Sequence, residues 1–383
     1  MGHGFCQNIA HNPIVSRDRV ELLSRREMIE SACIPFIFRT KTMTDTPFAT
    51  LATSPEVSGF SLMVDEVDRL DVRPLETTPL ETTPLEKLTT IEKTAAVERI
   101  DGAGEPCPAP LVWQEIRENY LRDSMPWELA HGPHRLTGRT WGVGRPLYFL
   151  NHYAGTAELF SLTAWLLKDH FRCVLFDTMT VAPHSNKSLT LYCDDLFAIA
   201  DQHGDQRFHL FGAGFGAAVG LQAAFNQPER IASAVLQQGF AIQKLSFFER
   251  LLISICLRSS KTLDSLPQRR RFQAVNHQPW FPPFDTSRFE FLIESTGKLL
   301  LRDLALRAVA LKSFDLSQKL GEIRSPIMLI RTEGEGRIAA ESQQQLEEQL
   351  KSCRVEWLHS AGQHPCLTHP HRVAKLIQAF CTA

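Results

Sequence analysis

The stretch Phe208-His209-Leu210-Phe211-Gly212-Ala213-Gly214-Phe215-Gly216 decides the fold. It reads as a short apolar strand, a tight glycine turn, and then a helix, Ala217 to Phe225, rich in small residues. A strand–turn–helix with glycines two residues either side of the apex has the shape of a nucleophile elbow. There a strained turn lifts a nucleophilic side chain above a sheet. The apex here is Gly214, which has no side chain. The segment Gly212 to Ala217 also spells G-x-G-x-x-A, a dinucleotide fingerprint. That fingerprint wants an acidic residue at the end of the next strand and a place on the first strand of its fold. The next strand, Ile231 to Leu236, runs into Gln237-Gln238, and several strand–helix units come first. Both features count against a dinucleotide site.

Outward from the turn, strands and helices alternate. Leu147 to Leu150 reads as a strand and Thr156 to Lys168 as a helix; Cys173 to Phe176 as a strand and Leu189 to His203 as a helix. Beyond the turn come strands at Ile327 to Ile330 and Val355 to Leu358, and helices at Glu341 to Leu350 and His371 to Phe380. This alternation implies a mostly parallel sheet covered on both faces. Leu111 to Leu121 has helical spacing, and Glu128 to Gly144 reads as a hairpin leading into the sheet.

The interval 239–320 breaks the pattern. It holds helical stretches, Leu245 to Leu257 and Phe289 to Phe314, around Arg269-Arg270-Arg271 and the aromatic-proline segment Pro279 to Phe284. We expect a helical lid insertion over the C-terminal ends of the strands, where open α/β sheets hold their ligands. The arginine run reads as a solvated face, and Trp280, Phe281 and Phe284 as the core of the lid.

Residues 1–110 read as a disordered extension, with the folded domain at 111–383. From Thr44 the composition shifts to Thr, Pro, Ser and Glu, and Pro74-Leu75-Glu76-Thr77-Thr78 recurs from Pro79 and, shortened, from Pro84. A proline in every five-residue unit sustains neither a helix nor a central strand. Met43 offers an alternative start to Met1.

A net charge of −2 gives no electrostatic case for nucleic acid or for an anionic membrane as the main partner. Nine scattered cysteines, with no C-x-x-C pair, argue for a reducing compartment. No apolar run reaches the roughly 18 residues of a membrane span. The cytoplasm is the expected location, and neither a cofactor nor a metal is expected. His359, His364, Cys366, His369 and His371 cluster in sequence, but their spacing matches no zinc-ligand pattern.

Four motifs in order resemble the α/β-hydrolase superfamily over about residues 135–381. Asn151-His152-Tyr153-Ala154-Gly155-Thr156 is similar to its oxyanion loop, and Gly212 to Gly216 to its G-x-S-x-G elbow. Ile330 to Glu335 resembles the strand end that supplies the acid, and Ala361-Gly362-Gln363-His364-Pro365 the loop that supplies the histidine. Locally, Pro146 to Phe160 together with Phe208 to Gly216 is similar to maspardin-like proteins, a branch regarded as protein-binding rather than clearly catalytic.

The resemblance implies roles. His364 is the expected general base, and Glu335, with Glu333 second, the acid that orients it. Phe215, with His152 or Tyr153, would supply the backbone N–H groups of an oxyanion hole. Gly214 stands at the nucleophile position and supplies no nucleophile. One expectation is a binding or scaffold protein that takes a small ligand or a protein partner under the lid. The alternative is an active hydrolase or acyltransferase, acting on a small ester, thioester or amide, in which His364 and Glu335 activate a water in the space a serine would fill.

Overall fold

The computed structural model describes residues 112–132, 134–177 and 188–383. The N-terminal extension, its repeat and the choice between Met1 and Met43 lie outside the described residues.

A sheet of eight strands organises the domain: β1 (Met125–His131), β2 (His134–Trp141), β3 (Arg145–Leu150), β4 (Phe171–Phe176), β5 (Phe208–Ala213), β6 (Ile231–Gln237), β7 (Ile327–Thr332) and β8 (Cys353–Leu358). Their spatial order is β1-β2-β4-β3-β5-β6-β7-β8. The pair β1/β2 is an antiparallel hairpin, and β2 runs antiparallel to β4. From β4 onward all pairings are parallel. The hairpin expected from the glycine-split segment is therefore the edge of a single sheet. Strand β3 has β4 on one side and β5 on the other. The chain reverses its direction of winding there, and at such a switch point a crevice opens beyond the strand ends.

Both faces of the sheet are buried, as a parallel sheet requires. Along β3, Leu147 and Phe149 join one apolar cluster and Tyr148 and Leu150 the other. Along β7, Met328 and Ile330 divide from Ile327 and Leu329 in the same way. The two-residue period of a strand thus feeds two cores. On one face pack α1 (Trp113–Asp123), α2 (Ser161–Leu167), α10 (Pro365–Thr368) and α11 (Pro370–Thr382). On the other pack α3 (Leu189–Gln202), α4 (Phe215–Asn226) and α9 (Arg337–Gln349).

Helix α4 is the central one. Residues are buried around its whole circumference, including Phe215, Ala217, Val219, Leu221 and Ala224, as expected of a helix apolar on every side. It can lie this close to the sheet because Gly216 has no Cβ. One there would collide with the carbonyl of Leu150.

Between β6 and β7 the chain builds α5 (Phe247–Cys256), α6 (Arg269–His277), α7 (Ser287–Gly297) and α8 (Leu301–Leu311). The single helix expected over Phe289 to Phe314 is two helices. The break follows Gly297, where Leu300 pairs with Thr262 in an isolated bridge and Leu263 N–H donates to Leu299 C=O. The arginine run also divides. Arg269 is buried, bonded to Asp264, to the carbonyl of Ile293 and to the hydroxyl of Thr296, while Arg270 and Arg271 are exposed. The expected solvated face therefore holds for two of the three. The first arginine instead ties α6 to α7. Phe281 is buried, as expected of a core residue, but Phe284 stands exposed.

Candidate functional site

The crevice beyond β3 and β5 is built by three loops and one inserted helix. Gly214 caps β5 at φ 52° and ψ −107°, a conformation open to glycine and strained for other residues. The turn is held by its backbone: Gly214 N–H donates to Gln237 C=O at 2.8 Å, and Gly216 N–H to Asn151 C=O at 2.9 Å. The amide of Asn151 donates in turn to the carbonyl of Phe176 at 2.8 Å. The elbow is thereby fixed to β6, to the loop after β3 and to the end of β4. Phe215 N–H, the expected oxyanion donor, makes none of these bonds.

His152 decides the character of the crevice. Its ring lies over Gly214, where a Cβ would stand 2.8 Å from Cδ2 and 2.9 Å from Nε2. That is inside any normal contact distance. The imidazole thus fills the volume in which a side chain at the elbow would begin. Nε2 of His152 donates to Oε1 of Gln238 at 2.8 Å. Gln238 follows β6 with φ 52°, a left-handed backbone unusual for a residue with a Cβ, and it is buried. Its neighbour Gln237 donates to the carbonyl of Gln363, which fixes the loop of the next histidine. Amides thus occupy the end of β6, and both serve as spacers between loops.

His364 comes to the same place. Its ring centroid is 5.5 Å from that of His152 and 4.9 Å from that of His277, at the end of α6. Three imidazoles from three separate segments therefore meet above the elbow. The burial of their rings disfavours the cationic form, and each ring opposes charge on its neighbour. His277 is held at a pKa of about 4, and His364 well below the ordinary histidine value. His152 is lowered too, by burial first; its bond to Gln238 opposes this and the charge of Arg307 adds to it.

The expected acids stand elsewhere. Glu335 is buried, and its carboxylate accepts from Arg331, from the N–H of Thr332 and from the amide of Gln343. With Thr332 it forms a capping box at the turn after β7. Glu333 accepts from Ser360 N–H at 2.9 Å and bonds His359 at 3.0 Å. Among the described residues no hydrogen bond joins either carboxylate to His364. Glu335 lies just past the end of β7, as its motif position implies. The chain folds its side chain back along β7, because Arg331, four residues earlier, offers a buried guanidinium.

Tyr153 is drawn upward. Its hydroxyl donates to Leu304 C=O at 2.5 Å, and its carbonyl accepts from Arg307 Nη1 at 2.5 Å. Both partners lie on α8, so the loop after β3 is tied to the inserted helices. Three contributors went unnoticed in the sequence. Gln238 stands where a dinucleotide fold would need an acid, and His277 and Arg307 lie inside the insertion with no motif around them. Arg307 is 2% exposed, and an arginine on the apolar face of a helix is the one signal that could have pointed to it. Among the described residues, no group of three or more His, Cys, Asp or Glu side chains could hold a metal ion, and no helix is long and apolar enough to cross a membrane.

Residues 129–376 match the Alpha/beta hydrolase family. The chain belongs to that family. Relatives of this α/β-hydrolase include the RutD proteins, assigned by name to carbamate hydrolysis. That of Cronobacter turicensis is 27% identical over 205 residues, which cover 51% of this chain and 73% of the relative. That of Agrobacterium fabrum is 22% identical over 206 residues, covering 51% and 77%. Among solved structures, a hydrolase from Pseudomonas aeruginosa PA01 superposes with a TM-score of 0.58 at 22% identity, over 67% of this chain and 98% of that one. The enol-lactonase from Burkholderia xenovorans LB400 gives 0.57 at 15% identity, over 67% and 100%. These structural likenesses confirm the fold read from the sequence.

Proposed function

We propose that this α/β-hydrolase works as a binding protein and does not carry out the covalent chemistry of a serine hydrolase. The observation that carries this reading is the His152 imidazole over Gly214. Acyl transfer through an enzyme-bound intermediate needs a side-chain nucleophile. At this elbow the nucleophile is missing and its place is filled. The remaining parts support the same reading. His364 has imidazole neighbours and, among the described residues, no bonded carboxylate to hold its tautomer or stabilise its cation. The water-activated alternative requires both an open volume at Gly214 and a pairing of Glu335 with His364. The ring of His152 takes the first, and Arg331 and Gln343 take up the second.

On this reading a small ligand or a protein partner engages the crevice through the inserted helices. The local similarity of residues 146–160 and 208–216 to maspardin-like proteins favours a protein partner. The test is a panel of carbamates, small esters and thioesters, together with covalent labelling by a fluorophosphonate. Carbamates are included because the RutD relatives carry that name. We expect neither turnover nor labelling. Turnover by the purified wild-type protein that disappears on His364→Ala would overturn the reading.

A further inference from the structure

Helix α5 is apolar on two faces. Leu252, Ile253 and Cys256 point inward, where they pack with Leu301, Leu304, Ala305 and Ala308 of α8. The other face is open. Phe247 is 77% exposed, Phe248 49%, Leu251 49% and Ile255 52%. At 3.6 residues per turn these four fall within about 100° of arc, so they form one stripe along the helix. The start of the helix is fixed by a capping box, in which Ser246 accepts from Glu249 N–H and Glu249 accepts from Ser246 N–H. The stripe is thus a property of an ordered element.

Charge borders this stripe on one side of the ledger only. From Lys244 to Lys261 the chain carries Lys244, Arg250, Arg258 and Lys261, all exposed, against the single carboxylate Glu249, which is engaged in the cap. Asp315 faces Lys244 from outside the segment. The net charge of −2 for the whole chain conceals this local excess of cations. Aromatic and aliphatic side chains on one face of a helix, flanked by lysine and arginine, are the pattern of a helix that lies in a lipid–water interface. Anionic headgroups supply the charge that the flanks lack.

We propose that α5 docks this protein on an anionic bilayer surface. Phe247, Phe248, Leu251 and Ile255 would enter the headgroup–acyl boundary, with Arg250, Arg258 and Lys261 against the lipid phosphates and carboxylates. The inward face of α5 packs in the same cluster as Tyr153 and Ala154, next to His152. Docking would therefore bring the crevice to the membrane through a single helix thickness. The inference is independent of whether the crevice is catalytic.

The experiment is vesicle flotation of the full chain. Vesicles of phosphatidylcholine alone are compared with vesicles containing roughly one third phosphatidylserine, at low salt and at a salt concentration whose Debye length is about 3 Å. Binding is expected to the anionic vesicles and not to the neutral ones, and it should weaken at high salt. Phe247→Glu with Leu251→Glu should abolish it, and Arg250→Glu with Lys261→Glu should weaken it about tenfold or more. All four positions are exposed, so circular dichroism of the variants should match wild type. Failure to bind either vesicle overturns the proposal, as does binding that survives Phe247→Glu with Leu251→Glu. A wild-type chain that self-associates in sedimentation through these residues, and ignores the vesicles, also overturns it, because the stripe would then be a protein contact.

Discussion

The imidazole of His152 stands over Gly214, its Cδ2 2.8 Å from where a β-carbon on that glycine would lie. One residue has no side chain, and the other holds its ring in the volume where that side chain would begin. A Cβ at 214 and the ring at 152 compete for the same space, and this makes their coupling measurable.

Gly214→Ser alone should destabilise the fold. The new Cβ meets the ring of His152, and a non-glycine residue takes on the strained φ of the turn. Overpacking and backbone strain each cost about 1–3 kcal/mol. His152→Gly with Gly214→Ser should recover the steric part, leaving a coupling of about 1–3 kcal/mol in a double-mutant cycle. Urea denaturation of the four proteins provides the measurement. Additivity within about 0.5 kcal/mol would mean that the ring does not obstruct the elbow.

Acidification below about pH 6.5 should weaken the protein through its buried histidines. His152, His277 and His364 resist protonation in the fold, with His277 held at about 4, whereas in the unfolded chain they take up protons near pH 6.5. Above about pH 6.5 both states are neutral at these sites and stability is insensitive to them. From there toward pH 4 the unfolded chain binds the extra protons. Each histidine that stays neutral then costs up to about 1.4 kcal/mol per pH unit. Glu335, whose pKa burial raises, opposes this trend as its own protonation sets in. Urea midpoints at pH 7.5, 6.5 and 5.5 should fall in that order, and His277→Gln should flatten the slope.

Glu335→Ala should cost about 3 kcal/mol, the low end for breaking a buried ion pair, because it removes the buried carboxylate shared by Arg331 and Gln343 while Arg331 keeps Glu347 and the Ala340 carbonyl. Chemical denaturation measures the loss. Glu335→Gln, which keeps the shape, should leave the imidazole resonances of His364 unmoved in proton NMR. A shift there would mean that the carboxylate reaches the histidine after all.

Trp280 closes the insertion onto the core. Its indole lies against Gly334 and Gly362, where a Cβ on either glycine would run into the ring. Gly362→Ala should therefore cost about 1–3 kcal/mol by overpacking, read as a lowered urea midpoint. Trp280→Ala should instead free the 278–286 segment, seen as faster limited proteolysis at those residues with the rest of the domain intact. Unchanged digestion would show that other contacts hold the segment.

Most of the fold was legible in the sequence because it rests on period and punctuation. The short apolar runs of β3 and β7 and the glycines around 214 are local signals, and they place the strands, the elbow and its flanking motifs. The site was less legible because its contacts are long-range. His152 and Gln238 are 86 residues apart, and Tyr153 and Arg307 are 154 apart. Motif position put Glu335 after β7 but could not say which way its side chain turns, since that depends on Arg331. His277 had no motif at all. Helical periodicity runs on through the break after Gly297, which long-range contacts mark: the bridge from Thr262 to Leu300 and the bond from Leu263 N–H to Leu299 C=O.

The competition between residues 152 and 214 for one volume has a directional consequence. A serine arriving first at 214 lands in occupied space, while a smaller residue arriving first at 152 meets no such obstacle. A mutational path that places a nucleophile at this elbow therefore runs more easily with the change at 152 preceding the change at 214. A library that varies position 214 alone samples the wrong step first.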